Sequence, residues 1–204
     1  MGLISNGTTV FDAGAMASGF GGSMTFIKKL TASSSSTLSF VDGASGVVLD
    51  NTYKEYLFTF KDIHPGTDNK RLQFNLSIDG GSNYNVTKTS TYFYAFNFEN
   101  DGGTDVEYNT GSDLGQGTGF QFLTTETGAD ADQCSAGTLK LFNPSSTTFV
   151  KHFIAVTNDA QSENRDYTSF SAGYGNTTSA VNAVQFKMNS GNIDAGDICL
   201  YGIS

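Results

Sequence analysis

Residues 71–78 read RLQFNLSI, and the alternation within this stretch decides the fold. Its apolar side chains stand at every second position, Leu72, Phe74, Leu76 and Ile78. Polar side chains fill the positions between them, Arg71, Gln73, Asn75 and Ser77. Successive side chains of a β-strand point to opposite faces, so this period of two predicts a strand with one face against a core.

The same period recurs along most of the chain. Further strands are predicted at 38–41, 47–49, 53–63, 92–98, 119–123, 138–142, 149–156, 167–175, 180–188 and 197–203. Turn-forming residues separate them, as in Asp79-Gly80-Gly81 and Asn189-Ser190-Gly191. No segment keeps the apolar period of 3.6 residues that an amphipathic helix shows. The pattern predicts an all-β fold, an antiparallel β-sandwich of jelly-roll type.

The composition favours a core built from aromatic side chains. The 204 residues include 17 Phe and 9 Tyr but no Trp. A buried Phe contributes roughly 1.5–3 kcal/mol, so these rings are expected to dominate the core. The two cysteines, Cys134 and Cys199, are too few for a disulfide framework, and two structural thiols or a single bridge both fit the sequence.

The charge balance argues against nucleic acid as a partner. The formal net charge is −9, with 11 Lys and Arg against 20 Asp and Glu. Such a surface repels nucleic acids and anionic membranes, so neither is expected to bind. The sequence lacks an apolar run of membrane-helix length and the apolar stretch of a signal peptide. We therefore expect the chain to be synthesised and folded in a cytoplasm.

Residues 1–30 differ from the rest of the chain. They contain a glycine-rich run from Gly14 to Gly22 and little alternation, so no compact domain is expected there. We interpret 1–30 as an extended arm that anchors the protein on another surface, and 31–204 as the sandwich domain. The apolar side chains of the arm are the candidate anchoring residues, Leu3, Ile4, Val10, Phe11 and Phe20.

The stretch 197–203, DICLYGI, predicts a last strand in the interior of a sheet. In an antiparallel sandwich the final strand can be central. Ile198 and Leu200 are then expected to face the core, with Ile203 as a third candidate. Removal of this strand is expected to abolish folding.

The sequence contains no pattern that predicts a catalytic, cofactor-binding or metal-binding residue. His64 and His152 show no metal-ligand spacing, and His152 is interpreted as a structural residue of a strand. A glycosidase needs a pair of carboxylates, for which the candidates are Glu107, Glu126 and Asp197. None of the three lies in a pattern that predicts an aromatic groove. We therefore predict that the protein is not an enzyme.

The stretch 99–107, ENDGGTDVE, concentrates side-chain oxygen atoms in one loop. Calcium prefers such ligands, although the spacing does not fit an EF-hand. Turn formation explains the same residues without a metal. Both interpretations stay open at the level of sequence.

Aromatic side chains occupy both faces of 92–98, YFYAFNF. Alternation places Tyr92, Tyr94 and Phe96 on one face and Phe93 on the other. One interpretation is a central strand whose tyrosine hydroxyls reach the rim. The other is a subunit interface, where Tyr and Phe are enriched. The candidate interface residues are then Tyr92, Tyr94, Phe96 and Tyr201.

Three stretches carry a resemblance to known proteins. They are MGLISNGTTVFDAGAM at 1–16, NTYKEYLFTFKDIHPGTDNKRLQFNLSIDGGSNYN at 51–85 and SGNIDAGDICLYGIS at 190–204. With these stretches the chain resembles a family of virion structural proteins from tailed bacteriophages of marine bacteria, including cyanophages and pelagiphages. Its ending at 200–203 is also similar to the last strand of jelly-roll domains in phage fibres and spikes.

The resemblance implies a non-enzymatic component of a virion, assembled in the host cytoplasm in many copies and expected to be a homotrimer. Its arm would bind the major capsid protein or another virion protein. A knob that decorates the capsid is favoured, because the sequence contains no heptad or repeat that predicts a fibre shaft. The alternative is a tail-fibre or spike receptor-binding protein that recognises a host surface glycan through loops such as 79–85, 100–118 and 157–166.

Overall fold

The computed structural model describes residues 3–12, 15–16 and 23–204, with side chains at 3–9 and from residue 23 onward. Within these residues the strands are β1 (Leu3–Ser5), β2 (Thr8–Asp12), β3 (Ala15–Met16), β4 (Met24–Thr31), β5 (Leu38–Val41), β6 (Glu55–Pro65), β7 (Leu72–Ser77), β8 (Lys88–Phe98), β9 (Thr104–Tyr108), β10 (Gln121–Phe122), β11 (Ser135–Phe142), β12 (Lys151–Gln161), β13 (Arg165–Gly175), β14 (Ala183–Met188) and β15 (Ile193–Ile203). The same residues include no helix with the length and apolar character needed to cross a membrane.

Eight of these strands form a jelly roll. β4, β15, β6 and β11 lie side by side in the larger sheet, and β5, β14, β7 and β10 form the smaller sheet. Renumbered from one to eight in chain order, they follow the order 1-8-3-6 in one sheet and 2-7-4-5 in the other. This is the strand order of a jelly roll, so the predicted fold class is confirmed.

Four more strands extend the larger sheet beyond the jelly roll. Next to β11 come β12, β13, β8 and β9, each antiparallel to its neighbour. In the chain, β8 and β9 are inserted between β7 and β10, and β12 and β13 between β11 and β14. We call these four strands the sheet extension. The alternation predicts three of them, but it does not place them beside one another.

Aromatic rings fill the space between the two sheets. The ring centroid of Phe186 in β14 lies 5.2 Å from that of Phe58 and 5.4 Å from that of Phe60, both in β6. The ring centroid of Phe74 in β7 lies 5.0 Å from that of Phe153 in β12. All five rings are buried, which confirms the aromatic core expected from the composition.

The stretch 71–78 contains β7, and both faces of this strand are buried. Leu72, Phe74 and Leu76 face the core as predicted, whereas Ile78 lies beyond the end of β7 and is exposed. The polar positions between them are buried as well, Gln73, Asn75 and Ser77. The side-chain amide of Asn75 donates to the carbonyl oxygens of Tyr84 at 2.6 Å and Thr118 at 3.0 Å. Loops therefore cover the face that alternation alone would leave in solvent.

The last strand has the interior position that the sequence predicts. β15 lies between β4 and β6 in the larger sheet. Ile198 and Leu200 are fully buried, which confirms their predicted orientation. Ile203 is only half-buried, because alternation places its side chain with that of Tyr201 on the outer face of the sheet.

The larger sheet begins before the predicted boundary at residue 30. β4 pairs with β15 along its length, and Ile27 and Leu30 pack against the core. Residues 24–30 therefore belong to the sandwich and not to an arm.

A separate small sheet takes the place of a single extended arm. β1, β2 and β3 form three antiparallel strands, in which the side chains of Leu3 and Ile4 are exposed. Of the other candidate anchoring residues, Val10 and Phe11 lie in β2. Their side chains, and the whole of Phe20, lie outside the described part of the structure.

Candidate functional site

The sheet extension carries a row of aromatic side chains on its inner face. In β8 the row consists of Tyr94, Phe96 and Phe98, all half-buried. Pairing of β8 with β13 brings Tyr167 beside them. The ring centroid of Tyr167 lies 5.3 Å from that of Tyr94 and 5.6 Å from that of Phe96. We call the surface formed by these four rings the aromatic groove.

One end of the aromatic groove closes into a cavity of about 130 Å³. It is lined by Arg71, Tyr94, Asn109, Thr125, Glu126 and Tyr167. The Arg71 side chain is held in place, since its Nη2 donates to Ser112 Oγ at 2.6 Å and its guanidinium lies 3.8 Å from the ring centroid of Phe122. A fixed cation, a carboxylate and an amide thus surround two tyrosine rings.

Glu107 reaches the same end of the groove from β9. Its Oε2 accepts a hydrogen bond from Tyr94 Oη at 2.8 Å. Burial and this hydrogen bond raise the pKa of Tyr94 to about 12. The Tyr94 hydroxyl therefore stays protonated at neutral pH, and it fixes the Glu107 carboxylate beside the rings.

The other end of the groove opens into a hollow of about 310 Å³. It is lined by Phe98, Glu99, Asn100, Glu163 and Asn164. Arg165 stands next to it, with its guanidinium 4.2 Å from the Phe98 ring centroid and its Nη2 2.6 Å from Glu163 Oε2. A second cation and further acidic and amide side chains therefore flank the aromatic row.

A buried polar cluster supports the groove from β12. Asp159 is fully buried, and its Oδ2 accepts a hydrogen bond from Thr125 Oγ1 at 2.8 Å. Burial raises the pKa of Asp159 to about 6. Gln161 Nε2 donates to Glu126 Oε2 at 2.8 Å. These contacts hold Thr125 and Glu126 in position.

Two buried atoms beside this cluster make no hydrogen bond within the described residues. They are Oε1 of Gln161 and Nε of Arg165. Buried polar atoms are almost always paired with protein, water or a ligand. An acceptor and a donor therefore remain free next to the groove.

The groove suits a ligand that has both flat apolar faces and polar groups around its edge. Ligand sites typically combine aromatic walls with a few well-placed polar groups. The four rings supply the apolar surface. Arg71, Asn109, Glu107 and Glu126 supply donors and acceptors around it.

The four candidate interface residues do not form one surface. Tyr92 is fully buried and donates to Ser169 Oγ at 2.8 Å, so its ring is not available to a partner subunit. Tyr94 and Phe96 lie in the groove. Tyr201 lies on the outer face of the larger sheet, with its ring centroid 5.6 Å from that of Phe26.

The structure places two of the three candidate carboxylates in an aromatic groove that no sequence pattern predicted. Glu107 and Glu126 both lie beside Tyr94. Asp197 does not, since it accepts from Thr31 Oγ1 at 2.5 Å and pairs with Lys29 at 3.1 Å near the opposite edge of the sheet. Sequence alone missed the groove, because its walls come from β9 and from the loop after β10.

The remaining candidates contribute less chemistry. His152 is exposed on β12. In the loop 99–107, Asn100 Oδ1 accepts a hydrogen bond from the Gly102 amide at 2.9 Å, which is turn formation. The part of the chain that the structure describes holds no group of three or more His, Cys, Asp or Glu side chains placed for a metal ion.

A second hollow, of about 380 Å³, brings together Asp62, His64 and Cys134. His64 Nδ1 lies 2.7 Å from the carbonyl oxygen of Gln133, so this ring nitrogen is already engaged in a hydrogen bond. Burial and the charge of Asp62 raise the pKa of the Cys134 thiol. Because the thiolate is the nucleophile, this environment disfavours covalent catalysis. Both cysteines are free, so they form no disulfide.

Comparison with protein-family models, curated proteins and solved structures finds no match for this chain. Its function is therefore inferred from its own residues. Of the surfaces described above, the aromatic groove brings together the largest set of groups able to bind a small ligand.

Proposed function

We propose that this chain is a non-enzymatic structural protein of a bacteriophage particle that binds a glycan in the aromatic groove. We propose a glycan because Tyr94, Phe96 and Phe98 form an aromatic row beside Tyr167, and charged and amide side chains flank this row. The setting on a particle rests on the resemblance of 1–16, 51–85 and 190–204 to virion proteins.

A glycan has apolar ring faces and polar hydroxyl groups, and the groove offers contacts for both. The C–H faces of a sugar ring are apolar and pack against aromatic rings, which offer large rigid surfaces. Its hydroxyl groups need donors and acceptors at the edge of those rings. Arg71, Asn109 and Glu126 provide them in the cavity, and Glu163 and Asn164 provide them in the hollow. This chemistry favours the receptor-binding alternative over decoration of the capsid alone.

The carboxylates of the groove are well placed for binding. Glu107 accepts from the hydroxyl of Tyr94, and Glu126 accepts from the amide of Gln161, each at 2.8 Å. Each carboxylate is therefore held in place by a hydrogen bond from the protein, and its second oxygen can accept from a ligand hydroxyl.

The N-terminal segment is proposed as the anchor on the particle. β1 to β3 form a small sheet whose apolar side chains Leu3 and Ile4 are exposed. So small a sheet is marginally stable in water without a partner to cover it. The major capsid protein or another virion protein is the proposed partner.

The glycan proposal is tested with the full chain on an array of bacterial surface glycans. We expect binding, and we expect Phe96→Ala to weaken it by roughly tenfold or more, because an aromatic contact is worth about 1 kcal/mol beyond its buried area. Phe149→Ala is the matched control, since Phe149 is an exposed phenylalanine outside the groove. Equal loss in both variants, or no binding to any glycan, would overturn the proposal.

The placement on the particle is tested separately by immunoelectron microscopy of purified virions. Label at the tail supports a receptor-binding fibre or spike protein. Label over the head supports a decoration protein that carries a glycan site. Virions that contain none of this chain would contradict the structural role, whatever the array shows.

A further inference from the structure

The outer face of the sheet extension carries a continuous apolar band. Strand pairing aligns Tyr108, Phe93, Phe170 and Val156 in one row across β9, β8, β13 and β12. The rings of Phe93 and Phe170 are stacked, with centroids 4.9 Å apart and planes 8° from parallel. Neighbouring rows add Val106 and Ile154 on the same face. We call these six side chains the outer band.

The side chains of the outer band are unusually exposed for their type. Val106, Tyr108 and Ile154 are 67%, 52% and 49% exposed, and Phe93 and Val156 are 39% and 38% exposed. Single exposed apolar residues are common on soluble proteins, but a contiguous patch is a mark of an interaction surface.

The charges on this face indicate what can cover it. The chain has a net charge of −9, so two copies repel each other over most of their surface. On the outer face, residues 89–95, 152–158 and 168–174 are all described, and their outward positions include no Asp or Glu. The nearest carboxylates lie at the margins of this face: Asp166 at the end of β13, and Asp113, which accepts a hydrogen bond from the hydroxyl of Tyr108 at 2.6 Å. Charged residues are depleted at the centre of protein interfaces in the same way.

The face also has a concave element beside the band. A hollow of about 200 Å³ lies between β8 and β13. Its lining includes Thr89, Thr91, Ala172 and Tyr174, which all point outward. An exposed ring of a second copy, such as that of Tyr108, has the size and polarity to enter it.

The size of the face fits a contact between folded proteins. Strands lie ~4.8 Å apart and rise ~3.3 Å per residue, so the outer face of β11, β12, β13, β8 and β9 covers roughly 600 Å² in projection. A standard interface buries about 800 Å² on each partner. The outer band and its polar rim therefore provide most of the area that a stable contact needs.

We propose that the outer face of the sheet extension is the surface through which copies of this chain associate. The occupant is a second copy, because the centre of the face is apolar and its outward positions at 89–95, 152–158 and 168–174 include no carboxylate on an otherwise acidic protein. The aromatic groove lies on the opposite face of the same strands, so it stays open in the assembly. The proposal does not depend on the ligand of the groove.

Sedimentation velocity of the full chain at micromolar concentration tests the proposal. We expect a species of at least twice the chain mass of 21.7 kDa. Phe93→Asp combined with Val156→Asp is expected to weaken association by ~100-fold or more, because facing like charges are strongly unfavourable. Circular dichroism and the melting temperature establish that the variant is folded.

Two matched variants make the result specific to this face. Phe149→Asp changes an exposed phenylalanine outside the strands, and Phe26→Asp changes one on β4 at the far edge of the same sheet. Both are expected to associate like the parent chain. A monomeric parent chain, or an assembly that Phe26→Asp breaks and the double variant leaves intact, would overturn the proposal.

A measurement on the unmodified chain covers the case in which the double variant fails to fold. Hydroxyl-radical footprinting compares side-chain oxidation in concentrated and dilute samples. Tyr108 and Phe93 are expected to be protected in the concentrated sample, whereas Phe149 is expected to react equally in both. Equal oxidation of Tyr108 at both concentrations would contradict the proposal.

Discussion

Two lysines, Lys88 in β8 and Lys151 in β12, have fully buried side chains. They flank Gly175 of β13, which pairs with both. Their Nζ atoms donate to neutral oxygen atoms, those of Asn75, Val86, Phe149 and Thr177. Among the described residues no salt bridge includes either lysine. Burial lowers the pKa of both, and that of Lys88 to about 7.

The buried Lys88 makes the stability of the protein depend on pH. Its pKa is 10.5 in the unfolded chain and about 7 in the folded one. Between these values the unfolded chain binds a proton that the folded chain does not. Stability therefore rises as pH increases from 7 to 10.5, and the same gain is lost as pH falls from 10.5 to 7, below which both states carry the proton.

Lys88→Met is expected to stabilise the protein at pH 7. Methionine has a similar length and needs no desolvation of a charge, so we expect an increase of about 1–4 kcal/mol in the free energy of unfolding. The freed Asn75 Oδ1 still accepts from the Leu76 amide at 2.8 Å. Urea unfolding at pH 7 and at the alkaline end of the window measures both the gain and the flattened pH dependence.

Lys61→Met is the matched control, because the Lys61 side chain is 74% exposed. It is expected to leave the pH dependence of the parent chain unchanged. If the free energy of unfolding changed with pH in the same way for Lys88→Met and the parent chain from pH 7 upward, the buried lysine would not be the cause of the pH dependence.

At the scale of the element, β15 is the strand on which the larger sheet depends. It pairs with β4 on one side and β6 on the other, and it buries Ile198 and Leu200 completely. Each buried side chain of this size contributes roughly 1.5–3 kcal/mol to the free energy of unfolding. Removal of β15 also removes its hydrogen-bonded pairing with β4 and with β6. Native domains have only about 5–15 kcal/mol of stability in total.

A chain that ends at Asp197 is therefore expected to be unfolded. A chain that ends at Gly202 is the control, because it loses only the half-buried Ile203 and Ser204. We expect the second to fold with a small decrease in melting temperature. Soluble, cooperatively unfolding protein from the chain ending at Asp197 would contradict the central role of β15.

At the scale of the whole molecule, the sandwich is expected to fold without the N-terminal small sheet. A chain of residues 23–204 keeps every strand of both large sheets, so its melting temperature should match that of the full chain. A chain of residues 31–204 lacks β4 with Ile27 and Leu30. Loss of their partial burial, about 2–3 kcal/mol together, should lower the melting temperature by roughly 5–10 °C.

Removal of residues 1–22 is expected to abolish binding to the particle without affecting folding. The chain of residues 23–204 is expected to be folded and absent from virions assembled with it. Calorimetry and western blotting of purified particles measure the two properties. Its incorporation at the level of the full chain would show that the anchor lies elsewhere.

The sheet extension gives the molecule two faces with different chemistry. Its inner face carries the aromatic groove beside Glu107 and Glu126, and its outer face carries the apolar outer band. Alternation along β8 sends Tyr94 and Phe96 to one face and Phe93 to the other. In the two proposals, the same set of strands binds a ligand on one side and a second copy on the other.

The sequence by itself determined most strands of the sandwich and the side chains of those strands that face its core, although it assigned β4 to an arm, did not predict β9 and predicted a strand at 47–49, where the described residues form none. Leu72, Phe74, Leu76, Ile198 and Leu200 are all buried as their alternation predicts. This succeeds because the direction of a side chain in a strand depends only on local backbone geometry. The same alternation also placed Tyr92, Tyr94 and Phe96 on one face.

Only the tertiary structure decided which of those faces meet solvent and which strands lie side by side. Tyr94 meets Tyr167, Glu107 and Glu126 because β8 pairs with β13 and β9 and because the loop after β10 folds back over them. The polar face of β7 is buried for a similar reason, since distant loops cover Asn75. Strand pairing joins residues far apart in the chain, and a period of two is the same whichever neighbour a strand has.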